Sequence, residues 1–324
     1  MAVPTNTVET FDRVGIREDL ADVIYNIAPT ETPFISNAAS GTAAQTLHEW
    51  QTDGLANAAA NAQKEGDDYA LGSRAATTRL NNYTQISAKT VGVSGSDQAV
   101  TNAGRGDELA YQLAKLGKEL KRDIEFANIG VENAKAAGSS GTARESASVG
   151  TWYGGNIAGT ASSAGNFSTN GSPSASPAGT GATAIAGGTN RTFTEALLKA
   201  GLKKCYELGG NPDVVLMSAS HKQLASAFSG VATLYKNADD KTVIGAVDVY
   251  VSDFGEVSFV PDRHQQANRV DILEMDKWEV SYLRPFQTKD LASSGDNDKK
   301  LLLTEWTLTA RSPNANYGIF NLTA

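Results

Sequence analysis

The longest apolar period in the chain falls between Asp107 and Ala137. Leu109, Leu113, Leu116, Leu120, Ile124, Ala127 and Val131 recur every three or four positions, the spacing of one helix face. Lys115, Lys118, Glu119, Lys121, Arg122 and Glu125 populate the other faces. Gly104 and Gly106 precede the run and Gly138 follows it. Asp107 and Glu108 stand where the helix dipole favours negative charge. The pattern predicts one helix over 107–137, a rod of about 46 Å. With a single apolar stripe, such a rod is expected to lie across a flat surface.

Before the rod the pattern is extended. An amphipathic helix is predicted over 17–27, with Leu20, Val23, Ile24 and Ile27 on one face. Pro29 and Pro33 then favour an extended path through Phe34 and Ile35. Residues 45–52 alternate, with Leu47 and Glu49 on one side and His48 and Trp50 on the other. Residues 79–93 are rich in Thr, Tyr, Ile and Val, again strand-like. The polar residues between them, including Asn57, Asn61, Lys64 and Asp68, make the pair a long ribbon with little core. Such a ribbon is marginal alone in water, so neighbouring molecules are expected to support it.

After the rod, residues 138–190 are dominated by Gly, Ser, Thr and Ala, with Arg144 and Glu145 the only charges. This reads as a flexible insertion of which Trp152, Tyr153 and Phe167 dock. Thr192 with Glu195 and Ser220 with Gln223 suggest capping boxes for two helices. The first buries Leu198, Leu202 and Cys205 and stops at Gly209-Gly210; the second carries Leu224 and Phe228. The apolar run 214–217 between them reads as a buried strand. Strands are then expected at 243–251, 256–260, 269–275, 279–283, 301–311 and 317–322. The fold class is α+β.

Composition narrows the function. The 324 residues are 40 % hydrophobic and 20 % charged, enough for a real core. A net charge of -8 lacks the basic stripe of a dedicated nucleic-acid binder, although it permits a protein that encloses nucleic acid without gripping it. The one cysteine, Cys205, excludes an intrachain disulfide and a Cys-based zinc site, and a reducing compartment is expected. The sequence shows neither a signal peptide nor an apolar stretch long enough to span a membrane.

Candidate chemistry is sparse. His48, His221 and His264 lie in separate segments without a nucleophile signature, and each reads as structural or surface. No HExxH, EF-hand loop, Walker A or GxGxxG occurs. The glycine-rich stretch 179–188 lacks the lysine of a phosphate loop. Asp239-Asp240 and Asp296-Asn297-Asp298 read as solvated loop tips. Cys205, Trp278 and Trp306 read as core. No catalytic residue, metal ligand or cofactor site is assigned, and the chain reads as a structural subunit completed by its neighbours.

Several strings, in order, carry a resemblance. They are Arg17-Glu18-Asp19-Leu20 leading to Pro29-Thr30-Glu31-Thr32-Pro33-Phe34, and Val260-Pro261-Asp262-Arg263-His264. Tyr282-Leu283-Arg284-Pro285-Phe286-Gln287-Thr288, Gly295-Asp296 with Asp298-Lys299, and Thr304-Glu305-Trp306-Thr307-Leu308 follow. Together they resemble the major capsid protein of tailed bacteriophages, of short-tailed type, with the Hong Kong 97-type fold. The resemblance implies an N-terminal arm (1–40), an extended E-loop (41–100) and a peripheral domain (101–211) with spine helix 107–137 and insertion 138–190. It implies an axial domain (212–324), from which some late strands return to the peripheral domain. It further implies hexamers and pentamers of an icosahedral shell around double-stranded DNA, assembled in the bacterial cytoplasm. Portal, scaffolding and decoration proteins would be the partners. An encapsulin-like compartment shell shares the fold, and a hydrolase or carbohydrate-binding protein is the rival of another class. Candidate intersubunit contacts are Phe34 and Trp50 near the arm and ribbon base, and Lys64, Glu65, Asp67 and Asp68 at the ribbon tip. Arg74, Arg79 and Arg284 complete the set.

Overall fold

The computed structural model describes residues 31–56, 58–66, 68, 71–72, 74, 76–100, 106–154, 166–228 and 248–323. The helix expected at 17–27 and most of the strand expected at 243–251 lie outside these residues.

Two sheets organise the described chain. The first has four strands in the order β1 (Ala39–Thr42), β12 (Trp278–Leu291), β13 (Asn297–Ala310) and β4 (Gln85–Ser94). Its centre is the long β12–β13 hairpin, which runs from the pair Trp278 and Ala310 out to Leu291 and Lys299. The pairing slips on either side of Arg284. Pro285, which has no N–H to give a ladder, sits in the second slip, as bulges allow. The second sheet has six strands in the order β5 (Phe167–Ser168), β14 (Tyr317–Ile319), β11 (Val270–Leu273), β8 (Val214–Met217), β10 (Gly255–Pro261) and β9 (Val249–Ser252).

β8 shows how the sheets are joined. All four of its residues are buried. Val214 and Leu216 enter a core shared with Trp152, Trp278, Trp306 and Leu308, so this core joins both sheets. Val215 and Met217 point to the opposite face, into a core with Leu198, Leu202 and Cys205 of α4 (Glu195–Glu207). A strand covered on both faces reads as the continuous apolar run seen in the sequence. The close seat of α4 depends on Gly201, where a Cβ would stand 2.5 Å from Ile272 Cδ1.

The rod is shorter than its period predicts. α3 spans Glu108–Glu125, capped by the Asp107 carboxylate accepting from Ala110 N (3.1 Å), and continues as a π-turn over Phe126–Gly130. Eighteen residues give about 27 Å of α-helix. It lies along β4 and β13. Leu120 and Ile124 are buried there, while Leu109, Leu113 and Leu116 are half-buried. The helix stops because tertiary partners claim the next residues. A Cβ at Gly130 would lie 2.3 Å from the Phe126 ring and 2.8 Å from His264 O. Beyond it Lys135 donates to Asn81 O (3.1 Å) and Oδ1 (2.7 Å), and Ser148 N donates to Asn133 O (2.9 Å). Helical periodicity at 131–137 is real but outcompeted.

Other expectations are also revised. Pro33 opens a short helix, α1 (Pro33–Asn37), and not an extended path; at a first helical position its missing N–H costs nothing. The strand-like run 79–93 divides at Thr84. β3 (Thr78–Tyr83) pairs with β2 (Leu47–Thr52) in a two-stranded ribbon, whereas β4 joins the four-stranded sheet. Neither capping box forms: Thr194 and Ser218 are the N-cap residues of α4 and α5 (Ala219–Ser226), without side-chain caps. Glu195 instead pairs with Lys199 (2.8 Å). On α5 it is His221 and Ala225 that are buried, and Leu224 is exposed.

Candidate assembly surfaces

A subunit completed by neighbours should show parts that its own core holds and parts that it leaves out. The ribbon β2–β3 has both. At its base, Trp50 Nε1 donates to Ala310 O (2.8 Å) and the ring lies 5.4 Å from that of Trp152. Asn82, fully buried, donates to Leu308 O (2.7 Å) and Ser146 Oγ (3.0 Å), and its Oδ1 accepts from Ala147 N (3.0 Å). At the tip, every described residue from 53 to 77 is exposed. Leu55 and Leu71 keep essentially their whole surface in solvent.

The base is held by a segment that composition marked as flexible. Residues 146–153 are all buried, with Val149–Trp152 in a 3₁₀ turn and Trp152 and Tyr153 without exposed surface. Phe167 is half-buried against Phe320 (6.2 Å). Three of the expected dockers therefore dock, but the surrounding Ser and Ala positions are buried too.

Two ionic clusters tie this base to the body. Glu305, buried, accepts from Thr84 Oγ1 (2.7 Å), Arg144 Nη2 (2.6 Å) and Arg284 Nε (2.7 Å). Arg269, also buried, donates from Nε to Asp271 Oδ2 (2.9 Å), from Nη2 to Ile129 O (2.8 Å), and from Nη1 to Glu132. Tyr153 OH donates to Asp271 Oδ1 (2.7 Å). Burial opposes the Arg269 charge, yet Asp271 and Glu132 carry its pKa above the usual value. Burial raises the Tyr153 hydroxyl, with the Asp271 charge adding to it. The guanidinium thus links the end of the π-turn, the buried segment and the six-stranded sheet. A third cluster holds the chain near α1. Glu125 accepts from Phe34 N (2.6 Å) and Ile35 N (2.9 Å), and burial pushes its carboxyl up to about 8, Asp262 adding to the shift.

The residues expected at subunit contacts divide accordingly. Phe34 has no exposed surface and meets Trp278 edge-on at 6.0 Å, and Trp50 is taken up at the ribbon base, so both serve their own chain's core. An apolar residue in an extended string gives no sign of whether its own chain or a neighbour covers it. Lys64, Glu65, Asp68 and Arg74 are exposed on the tip, and Asp67 lies outside the described residues. Arg79 makes a loose pair with Glu49 (3.5 Å). Arg284 is half-exposed but already engaged by Glu305. Glu125, Arg269 and Glu305, which organise the three clusters, were missed. Each stands in a strand or helix pattern that reads as an ordinary solvated charge. Among the described residues no group of His, Cys, Asp or Glu is arranged to hold a metal ion, and no helix is long and apolar enough to cross a membrane.

Comparison with known proteins matches this architecture to shell subunits. The family model described as SU10 major capsid protein matches residues 3–323. The curated major capsid protein of Escherichia phage Phieco32 is 27 % identical, over 99 % of this chain and 98 % of that one. Among solved structures, the Cyanophage A-1(L) capsid subunit superposes with a TM-score of 0.67 at 16 % identity, covering 99 % of this chain and 100 % of the other. A subunit from the capsid of a native GTA particle gives a TM-score of 0.60 at 10 % identity, covering 99 % and 100 %. These likenesses show the Hong Kong 97-type capsid fold. The family match and the curated relative set aside the encapsulin-like and hydrolase alternatives. The chain belongs to the SU10 major capsid protein family and is a structural protein of a phage capsid.

Proposed function

We propose that this subunit assembles into rings of six and five copies that tile a closed icosahedral head around double-stranded DNA. The observation that carries this reading is the ribbon tip, residues 53–77, whose two leucines find no cover among the described residues. In this reading the tip lies over a neighbouring copy, with Lys64, Glu65, Asp67, Asp68, Arg74 and Arg79 as its polar contacts. Arg284 approaches the neighbour from the β12 bulge. Extended arms of this kind accumulate contact area out of proportion to subunit size. They can also re-dock when a shell changes diameter while the two-sheet body stays rigid.

The domain reading follows the sheets. Residues 1–40 form the N-terminal arm and the ribbon with its tip is the E-loop. The four-stranded sheet with α3 makes the peripheral domain, to which β12 and β13 return. The six-stranded sheet with α4 and α5 makes the axial domain. A net charge of -8 gives little sequence-independent grip on phosphate, which suits DNA that must enter and leave. Assembly would take place in the host cytoplasm, with a portal and with scaffolding and decoration proteins as partners.

Negative-stain microscopy of the purified chain tests this reading. Shells or ring-shaped capsomers are expected, and a stable 34 kDa monomer under all salt conditions would overturn it. Replacing residues 53–77 by a two-residue Asn-Gly turn should leave a folded subunit, since Thr52 already pairs with Thr78. It should also abolish closed shells. Normal shells from that variant would sink the assignment of the tip.

A further inference from the structure

The four-stranded sheet is covered on one face by α3. That helix lies on the side of β4 that carries Ser87, Lys89, Val91 and Val93. Lys89 pairs there with Glu119 (3.4 Å) and Asp123 (2.9 Å), and Trp306 Nε1 donates to Ser87 Oγ (3.0 Å). Side chains alternate along a strand, so Ile86, Ala88, Thr90 and Gly92 look the other way, and all four are exposed. The register sets Leu301 and Lys299 of β13 beside Thr90 and Gly92, and Lys289 and Leu291 of β12 beside those. Leu291 is exposed and Leu301 half-buried. Among the described residues, nothing closes off this stretch of sheet.

A turn walls the open face at its Ile86 end. Residues 136–145 fold back on themselves, Ala136 bridging to Glu145 and Ser139 to Thr142. Gly138 permits the turn: its φ is +72°, and a Cβ there would stand 2.8 Å from Arg144 Cγ and 2.9 Å from Thr142 O. Between this turn and Ile86 opens a cavity of about 450 Å³, lined also by Ala137, Ala143 and Arg144. Ile86 itself is 51 % exposed.

Charge and apolar surface together name an occupant. The open face carries Lys289 and Lys299, and at its walled end Arg144 and Arg284 share the buried Glu305. The nearby acids Asp290 and Asp298 belong to the α3 side, where Asp290 meets Lys300 (3.4 Å) and Asp298 stands opposite Val93. The face is therefore basic. The ribbon tip is its complement: within 53–77, Asp53, Glu65, Asp67 and Asp68 outnumber Lys64 and Arg74, and Leu55 and Leu71 are fully solvated. Since the tip leucines and Ile86 are all exposed in the subunit, the tip does not cover its own chain's face.

We propose that this face of the four-stranded sheet is the acceptor for the ribbon tip of a second copy. A tip leucine enters the cavity beside Ile86, and the tip acids meet Lys289 and Lys299. Burial of the leucine holds the tip, while the charges orient it and reject a misplaced approach. The inference rests on the reading of the tip as an intersubunit element and adds where that element lands.

Photo-crosslinking in assembled particles tests this. Subunits of ordinary isotopic mass carrying p-benzoylphenylalanine in place of Ile86 are co-assembled with isotopically heavy wild-type subunits, irradiated, digested and read by mass spectrometry. Light–heavy pairs joining the probe to a peptide from 53–77 are expected. Light–heavy pairs only to another segment, residues 1–30 included, or no such pair at all, would overturn the acceptor. The same probe in place of Leu71 separates the two levels of the argument. Light–heavy pairs from Leu71 to some other surface would overturn the acceptor and leave the tip an intersubunit element. Particles that give no light–heavy pair from Leu71 would overturn the reading of the tip itself. A charge swap gives a second readout. Lys289→Glu with Lys299→Glu should raise the concentration needed for assembly by roughly tenfold, and adding Glu65→Lys with Asp67→Lys should recover part of the loss. A reversal on the face that leaves assembly unchanged, or that the tip reversal does not ease, would also overturn the acceptor.

Discussion

The base and the tip of the β2–β3 ribbon are two ends of the same strand pair, and they differ in what finishes them. At the base, Trp50 and Asn82 are met by Trp152, Ser146, Ala147, Leu308 and Ala310 from distant parts of the chain. At the tip, Leu55 and Leu71 are met by nothing among the described residues and keep essentially their whole surface in solvent. The six paired residues of each strand end at Thr52 and Thr78, where the exposed tip begins. The ladder therefore sets where the tip starts, not what covers it. Whether a stretch is a fold element or an interface element depends on where its side chains find cover. Side chains at the base should govern the stability of the subunit, and side chains at the tip should govern association.

The largest break of this contrast should come at Trp152. Trp152→Ala removes a fully buried indole from the core that joins both sheets, and it takes away the ring against which Trp50 rests. A loss of about 3–5 kcal/mol is expected, read as a clear drop in the denaturant midpoint of dissociated subunits. Asn82→Ala should come next. It leaves the Ala147 amide, the Ser146 hydroxyl and the Leu308 carbonyl short of a buried partner, a cost of about 2–3 kcal/mol. If either variant kept wild-type subunit stability but failed only in assembly, the base would belong with the tip.

The sequence announced the contrast unevenly. Alternation in 45–52, the buried run 214–217 and the apolar face of α4 were legible because each obeys a local period. The extent of α3 was not, because 131–137 keeps a helical pattern while Glu132, Asn133 and Lys135 are drawn off by Arg269, Ser148 and Asn81. Residues 144–153 were hardest to read. Their small side chains signal a loop, yet smallness is what lets the backbone pack beneath the ribbon, with Arg269 and Glu132 atoms within 3 Å of where a Gly150 Cβ would stand. Phe34 and Trp50 were legible as apolar anchors, but the molecule to which they anchor was not. Nor could sequence bring Glu125 to the Phe34 and Ile35 amides, since 91 and 90 positions separate them and only the fold closes that distance.

The smallest effect on folding sharpens the comparison from the other side. Leu55→Ala together with Leu71→Ala removes two large apolar side chains that are fully solvated in the subunit. No core contact is lost and no cavity forms, so subunit stability should move by less than about 0.5 kcal/mol. If the tip is covered by a neighbour, each leucine is buried only on association. Burying one leucine contributes about 1.5–3 kcal/mol, and the loss recurs at every copy in a closed shell. The expected result is an unchanged unfolding curve for dissociated subunits, with the concentration needed for assembly raised at least tenfold by light scattering. Equal assembly of wild type and double variant would place the two leucines outside every contact. A destabilised subunit would mean that the tip folds back on its own chain, and the division between base and tip would fail.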